Sequence, residues 1–286
     1  MSEPNFPLVI VETEPSESDA LVGLLSMAGA ECIEERDGTT LQKGGARGVT
    51  LVASFSDESL AREALASLGP SVEARLEFVI GDAWRDGWKE HWKPTRITSR
   101  VVVVPSWTEY EPLPGDLLMR FDPGRAFGTG QHPSTTLAAQ GVERETLAGR
   151  HHLLLDLGCG SGILAFVAVL HGLPRAIACD IDRESVESAV ENATMLGFAE
   201  RIDLRVGGFD VVPETSTLVV ANIEASVLVP YAAAVVERVA PTGVLILSGI
   251  LATQRALLTE AYLAQGMALA EVTGEGDWIA MEFHRP

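Results

Sequence analysis

The chain has 286 residues, 47% of them apolar and 21% charged, and 40 Asp and Glu against 21 Lys and Arg give a net charge of −19. Such a chain can bury a large core, which excludes wholesale disorder, and its length suggests two domains of ordinary size. Its acidity excludes binding to bare nucleic acid through a general basic surface.

Three cysteines, Cys32, Cys159 and Cys179, make neither a disulfide framework nor a zinc-type CxxC pair. No metal is expected, because no His, Cys and Asp cluster has ligand spacing. The N-terminus has no basic start and only a short apolar run, so it does not read as a signal peptide. No apolar stretch reaches the roughly 18 residues of a membrane span. A soluble, cytoplasmic protein is expected.

Phe6–Thr13 reads as a strand. Residues 16–28 read as a helix, with Ser16 as N-cap and Gly29 as its stop. Strand-like runs follow at 32–33 and 49–55, separated by a glycine-rich loop. Residues 57–68 form a second helix and residues 72–80 a last strand. The order β-α-β-β-α-β predicts a small ferredoxin-like domain over residues 1–80. Trp84, Trp88 and Trp92 recur every fourth residue and share one face of a helix that Pro94 ends. Residues 81–115 therefore read as a helical linker and lead-in to a domain over residues 116–286.

From about residue 150 strands and helices alternate regularly. Strands are predicted at 152–156, 176–180, 202–206, 218–221 and 243–248. Helices are predicted at 162–171, 183–196, 226–239 and 253–264, and two strands near 267–272 and 278–284 close the chain. This is the pattern of a mostly parallel sheet covered on both faces.

Four motifs carry chemistry. The first strand ends in Asp156, followed by Gly158, Gly160 and Gly162 just before a helix. Glycine permits a tight turn and close approach of a ligand at the sheet edge where such folds bind. The dinucleotide pattern G-x-G-x-x-G fails at Ile163, whereas D-x-G-x-G-x-G is the pattern of S-adenosylmethionine methyltransferases. Asp180 ends the second strand, about 20 residues past the glycine turn, where a carboxylate can accept bonds from both ribose hydroxyls. Asp182 is the alternative, its other role being a helix N-cap. Asn222 ends the fourth strand and offers both a donor and an acceptor beside a transferred methyl; it also suits an N-cap. The following Ile-Glu-Ala disfavours a planar amide or adenine as acceptor. Upstream, Phe121 to Thr136 (FDPGRAFGTGQHPSTT) combines glycines, aromatics, hydroxyls and His132, as a lid over a ligand would.

With that lid, the segments DLGCGSGILA, ACDID, VVANI, LSGIL and GEGDW follow in order. Over residues 80–286 the chain resembles the ribosomal protein L-eleven methyltransferases (PrmA type); the first 80 residues match that family in size and element order only. The resemblance implies a class I (Rossmann-like, seven-stranded) methyltransferase domain behind an N-terminal substrate-recognition domain. It further implies an enzyme that methylates lysine side chains or the N-terminal amine of a basic ribosomal protein. By the same resemblance Thr136, Gly158, Asp180 and Asn222 contact S-adenosylmethionine, and Phe127, Gly128 and Thr129 line the site from the lid. His132 is a candidate general base, its other role being packing or a loop hydrogen bond. No direct contact with nucleic acid or membrane is expected, and a monomer is expected. A small-molecule methyltransferase or a non-catalytic cofactor-binding module would leave the extra N-terminal residues or the complete lid without a purpose; the same chemistry on the lysines of a different protein is the open alternative.

Overall fold

A computed structural model describes residues 5–15, 17–30, 32–36, 48–69, 72–80, 93–121, 130 and 132–286. The chain divides into two compact units, Met1–Trp92 and Lys93–Pro286. The tryptophan-striped segment 84–92 and the lid residues Phe127, Gly128 and Thr129 lie outside the described residues.

The first unit runs β1 (Asn5–Thr13), α1 (Ser18–Met27), β2 (Cys32–Arg36), β3 (Val49–Ser54), α2 (Glu58–Ser67) and β4 (Glu73–Ile80). Its sheet has the order β2-β3-β1-β4, with every neighbouring pair antiparallel. Strand alternation puts Val9, Val11, Leu51 and Ala53 into one core with Leu21 and Leu25 of α1 and Ala61 and Ala64 of α2. Asp57 caps α2 by accepting from the Leu60 amide at 3.0 Å. For α1 the cap position is held by Glu17, which makes no side-chain cap bond; Ser16, the expected cap, lies outside the described residues.

The second unit opens with a three-stranded sheet of β5 (Thr95–Arg96), β6 (Val101–Val104) and β7 (Leu117–Arg120). Next comes α3 (Pro133–Leu147), which the lid reading of this region did not anticipate. The central elements are β8 (Leu153–Leu157), α4 (Ile163–Leu170), β9 (Arg175–Asp180), α5 (Arg183–Met195), β10 (Ile202–Val206) and β11 (Ser216–Asn222). After these come α6 (Ala225–Leu228), α7 (Ala232–Glu237), β12 (Val239–Leu251), α8 (Arg255–Ala264), β13 (Ala268–Glu275) and β14 (Trp278–His284). The helix expected over residues 226–239 is thus two short helices. Pro230 has no amide to donate in the middle of that stretch.

The seven-stranded sheet has the order β10-β9-β8-β11-β12-β14-β13. Its first five strands are parallel, and β14 and β13 are antiparallel to their neighbours. Alternate residues of one strand feed opposite cores. Leu154, Ala178, Val220 and Ile246 face α3, α4 and the small sheet, while Leu155, Cys179, Ala221 and Leu247 face α6, α7 and α8. Glu143 of α3 ties in the small sheet: its buried carboxylate accepts from the Thr98 hydroxyl at 2.6 Å and the Ser99 amide at 3.0 Å. Among the described residues no helix is long and apolar enough to cross a membrane, and no group of three His, Cys, Asp or Glu is placed to hold a metal ion.

Candidate functional site

Parallel strands β8, β9 and β11 end side by side, and the motif residues sit at those ends. The loop after β8 is bonded to β9. The Gly158 and Cys159 amides both donate to the Cys179 carbonyl at 2.9 Å, and the Gly160 amide donates to Asp180 Oδ2 at 2.8 Å. Asp180 Oδ1 in turn accepts from the Asp182 amide at 3.0 Å. Each oxygen of Asp180 therefore keeps one lone pair for a ligand hydroxyl. The alternative carboxylate, Asp182, is the N-cap of α5, accepting from the Glu184 and Ser185 amides at 3.1 and 3.2 Å. Between them Ile181 is 81% exposed, an apolar side chain at the edge of the site.

Two of the loop glycines answer a demand from the protein itself. Gly158 has φ +75°, and a Cβ there would stand 2.5 Å from Ile223 Cγ2, just past the end of β11. Gly162 has φ +83°, and a Cβ there would stand 2.8 Å from Phe166 Cζ. The turn is thus shaped by left-handed backbone and close packing as well as by room for a ligand.

Asp156 lies beneath this loop, fully buried. Its Oδ2 accepts from the Ala165 amide in the first turn of α4 at 3.2 Å, while Oδ1 has no partner. Burial, with some help from the charge of Asp180 and against the Ala165 bond, pushes its carboxyl up to about 7.

Asn222 ends β11 two residues beyond Val220, which is paired with Asp156. Its Nδ2 donates to the buried Thr135 hydroxyl at 3.3 Å, and its Oδ1 is buried without a partner. It does not cap a helix, since Glu224 holds the cap position of α6. Thr136 donates to the Gly130 carbonyl at 3.3 Å, at the foot of the lid segment. His132 is the N-cap of α3: Nδ1 accepts from the Ser134 amide at 3.3 Å, and the ring meets Trp278 edge-on at a centroid distance of 4.5 Å. Burial holds its imidazole below the ordinary value, and therefore neutral near pH 7.

The structure thus brings Asp156, Gly158, Gly160, Gly162, Asp180, Asn222, Thr136 and His132 to one end of the sheet. Thr135, Ile181 and Trp278 are additions from the structure. Thr135 is 87 residues from Asn222, so no local spacing announces the pair.

S-adenosylmethionine fits this donor set. The buried Asn222 oxygen lacks a donor, the Asp180 carboxylate has spare lone pairs, and three of the five residues of the turn, Gly158, Gly160 and Gly162, carry no Cβ.

Comparison with known proteins gives the same answer by another route. The family model for ribosomal protein L11 methyltransferase (PrmA) matches residues 9–286. The ribosomal protein L11 methyltransferase of Sorangium cellulosum is 42% identical, over 99% of this chain and 97% of its own length. That of Symbiobacterium thermophilum is 38% identical over 77% of this chain and 71% of its own length. The crystal structure of the ribosomal protein L11 methylase from Lactobacillus delbrueckii subsp. bulgaricus superposes with a TM-score of 0.63 at 31% identity, covering 68% of this chain and 99% of that one. The glycine loop, its paired carboxylates and the near full-length match lead to one conclusion: the chain belongs to the ribosomal protein L11 methyltransferase (PrmA) family.

Proposed function

We propose that this chain methylates amino groups of ribosomal protein L11, on lysine side chains or the N-terminal amine, with S-adenosylmethionine as methyl donor. The observation that carries the reading is the side chain of Asn222, whose buried, unpartnered oxygen lies at the end of β11, the strand paired with β8, which leads into the glycine loop. The relatives named above act on L11, and the match to them spans both units of the chain.

S-adenosylmethionine supplies a methyl group already activated by its sulfonium, so the protein's task is alignment. Asp180 would accept the ribose hydroxyls, Ile181 would offer its apolar face to the adenine, and Gly158, Gly160 and Gly162 would let the backbone run close to the methionine part. Asp156 supports the loop from below. Thr136, bonded to the Gly130 carbonyl, would flank the other side. Asn222 Oδ1 would accept a hydrogen bond from the incoming amine and so turn the nitrogen lone pair toward the methyl. A lysine amine is protonated at neutral pH, with an ordinary pKa of about 10.4, and sheds its proton to water before attack. His132 keeps its capping bond and is not required as the base.

Residues 1–80 form a ferredoxin-like module that recognises the substrate, and the unit Lys93–Pro286, with β5 and β6 built into it, carries the chemistry. The enzyme works as a cytoplasmic monomer on a basic protein, without contact with RNA. Purified L11 and S-adenosyl-[methyl-labelled]-methionine test the reading together. Intact-protein mass spectrometry should show L11 gaining mass in methyl steps, and no transfer to L11 would refute it.

A further inference from the structure

The carboxyl group of Asp156 has a role beyond supporting the loop. Its side chain is fully buried, one oxygen is served by a single backbone amide, and the other has no partner. A carboxylate in that position leaves a charged oxygen unpaired in a dry site, which is costly unless it is neutralised. The groups around it offer no cation among the described residues. From β9 come Asp180 and Cys179, from the loop Cys159, from α4 the Ala165 amide, and from β11 the apolar Val220. Both thiols are held protonated by burial, with Cys179 pushed up to about 11, and Asp180 is a like charge. Only the small positive end of α4 favours the anion.

We propose that Asp156 is a neutral carboxylic acid in the cofactor-free protein and gives its proton to solvent when the cationic cofactor binds, so that cofactor binding releases a proton. This rests on the reading of S-adenosylmethionine as the ligand. The balance is simple: one O–H bond of Asp156 breaks, the proton goes to buffer, and the positive charge of the ligand takes its place. The burial-raised carboxyl, near 7, puts this exchange within the working pH range.

The test is calorimetric titration of the full-length protein with S-adenosylmethionine at pH 6.5, below the ligand's own α-ammonium transition, which for a free α-amino group lies near 8. Repeating it in buffers of different ionisation enthalpy gives the number of protons released. About half a proton or more is expected from the wild type, and close to none from Asp156→Asn. A wild-type value near zero with measurable binding would overturn the proposal alone, as would an unchanged value in Asp156→Asn. No binding at all would overturn the cofactor reading and the proposal with it. Infrared difference spectroscopy of the wild type needs no variant: adding cofactor should remove a protonated-carboxyl band, and an unchanged spectrum in that region contradicts the idea.

Discussion

At the scale of single residues, Asp180 holds two structures together, since it bonds Gly160 on one side and Asp182 on the other. Asp180→Ala should therefore weaken S-adenosylmethionine binding by about 1.5–3 kcal/mol, the range for hydrogen bonds to a charged group. Calorimetry measures it, and unchanged affinity would remove Asp180 from the ribose site. Gly158→Ala should destabilise the chain by roughly 1–3 kcal/mol, because a side chain there is strained at φ +75° and meets Ile223. Adding Ile223→Ala relieves the contact but not the backbone strain, so the double variant should recover only part of the loss in a denaturant melt. Asp156 makes a pH prediction of unusual sign. Its folded carboxyl lies near 7, above its ordinary 3.8, so the folded state binds the proton more tightly. That stabilisation is complete below about pH 4 and is lost as the pH rises through 7. The cofactor-free wild type should thus lose stability relative to Asp156→Asn between pH 5 and 8.5. Parallel pH profiles would contradict this.

At the scale of elements, the exposed register shift near the start of β12 carries a local cost. Thr242, between Pro241 and Gly243, has φ +60°, and among the described residues it is the only non-glycine with positive φ. A β-branched side chain is poorly suited to that region, whereas Asn tolerates it. Thr242→Asn should raise stability by about 0.5–1 kcal/mol and leave cofactor affinity unchanged, as thermal melts and calorimetry can check. This scale also shows what the sequence could reveal. The strands and helices between Leu153 and Val206 are close to where periodicity placed them, because they are apolar runs bounded by Gly, Asp and Pro. Several elements escaped, among them β5 and β6, which lie in the stretch 81–115 read as a linker and lead-in. Helix α3 begins at His132-Pro133, which resembles a lid hinge until the imidazole is seen capping Ser134. The stretch 226–239 has the composition of a single helix, and only its proline breaks it. At the site, Asp180 and Asn222 were legible because each ends a strand. Thr135 was not, because its importance comes entirely from a contact with a distant strand end.

For the whole molecule, the large unit makes its cores from Ile97 through Phe283 alone, and the small unit has a core of its own. A polypeptide beginning at Lys93 should therefore fold, bind S-adenosylmethionine with wild-type affinity and fail to methylate L11. Full activity of that fragment would refute the assignment of recognition to the N-terminal unit. Charge acts at the same scale. Residues 1–90 hold 17 acidic and 7 basic residues, a net charge that would steer a basic protein toward this part of the chain. Steering of this kind is screened over about 8 Å at physiological ionic strength. Raising salt to about 0.5 M should lower kcat/KM for L11 while leaving kcat and cofactor affinity nearly constant. A flat kcat/KM would leave the charge with solubility alone.

The bond from the Gly160 amide to Asp180 also gives the protein a built-in spectroscopic reporter. An amide proton held 2.8 Å heavy-atom distance from a carboxylate is strongly deshielded, so Gly160 should resonate downfield of the other glycine amides in a nitrogen-correlated NMR spectrum. Once ribose hydroxyls share that carboxylate, the resonance should move. The Gly266 amide, bonded to the Leu263 carbonyl at 2.9 Å in a turn after α8, should stay in place as the internal reference. Cofactor loading could then be followed on a single peak, without label on the ligand and without turnover.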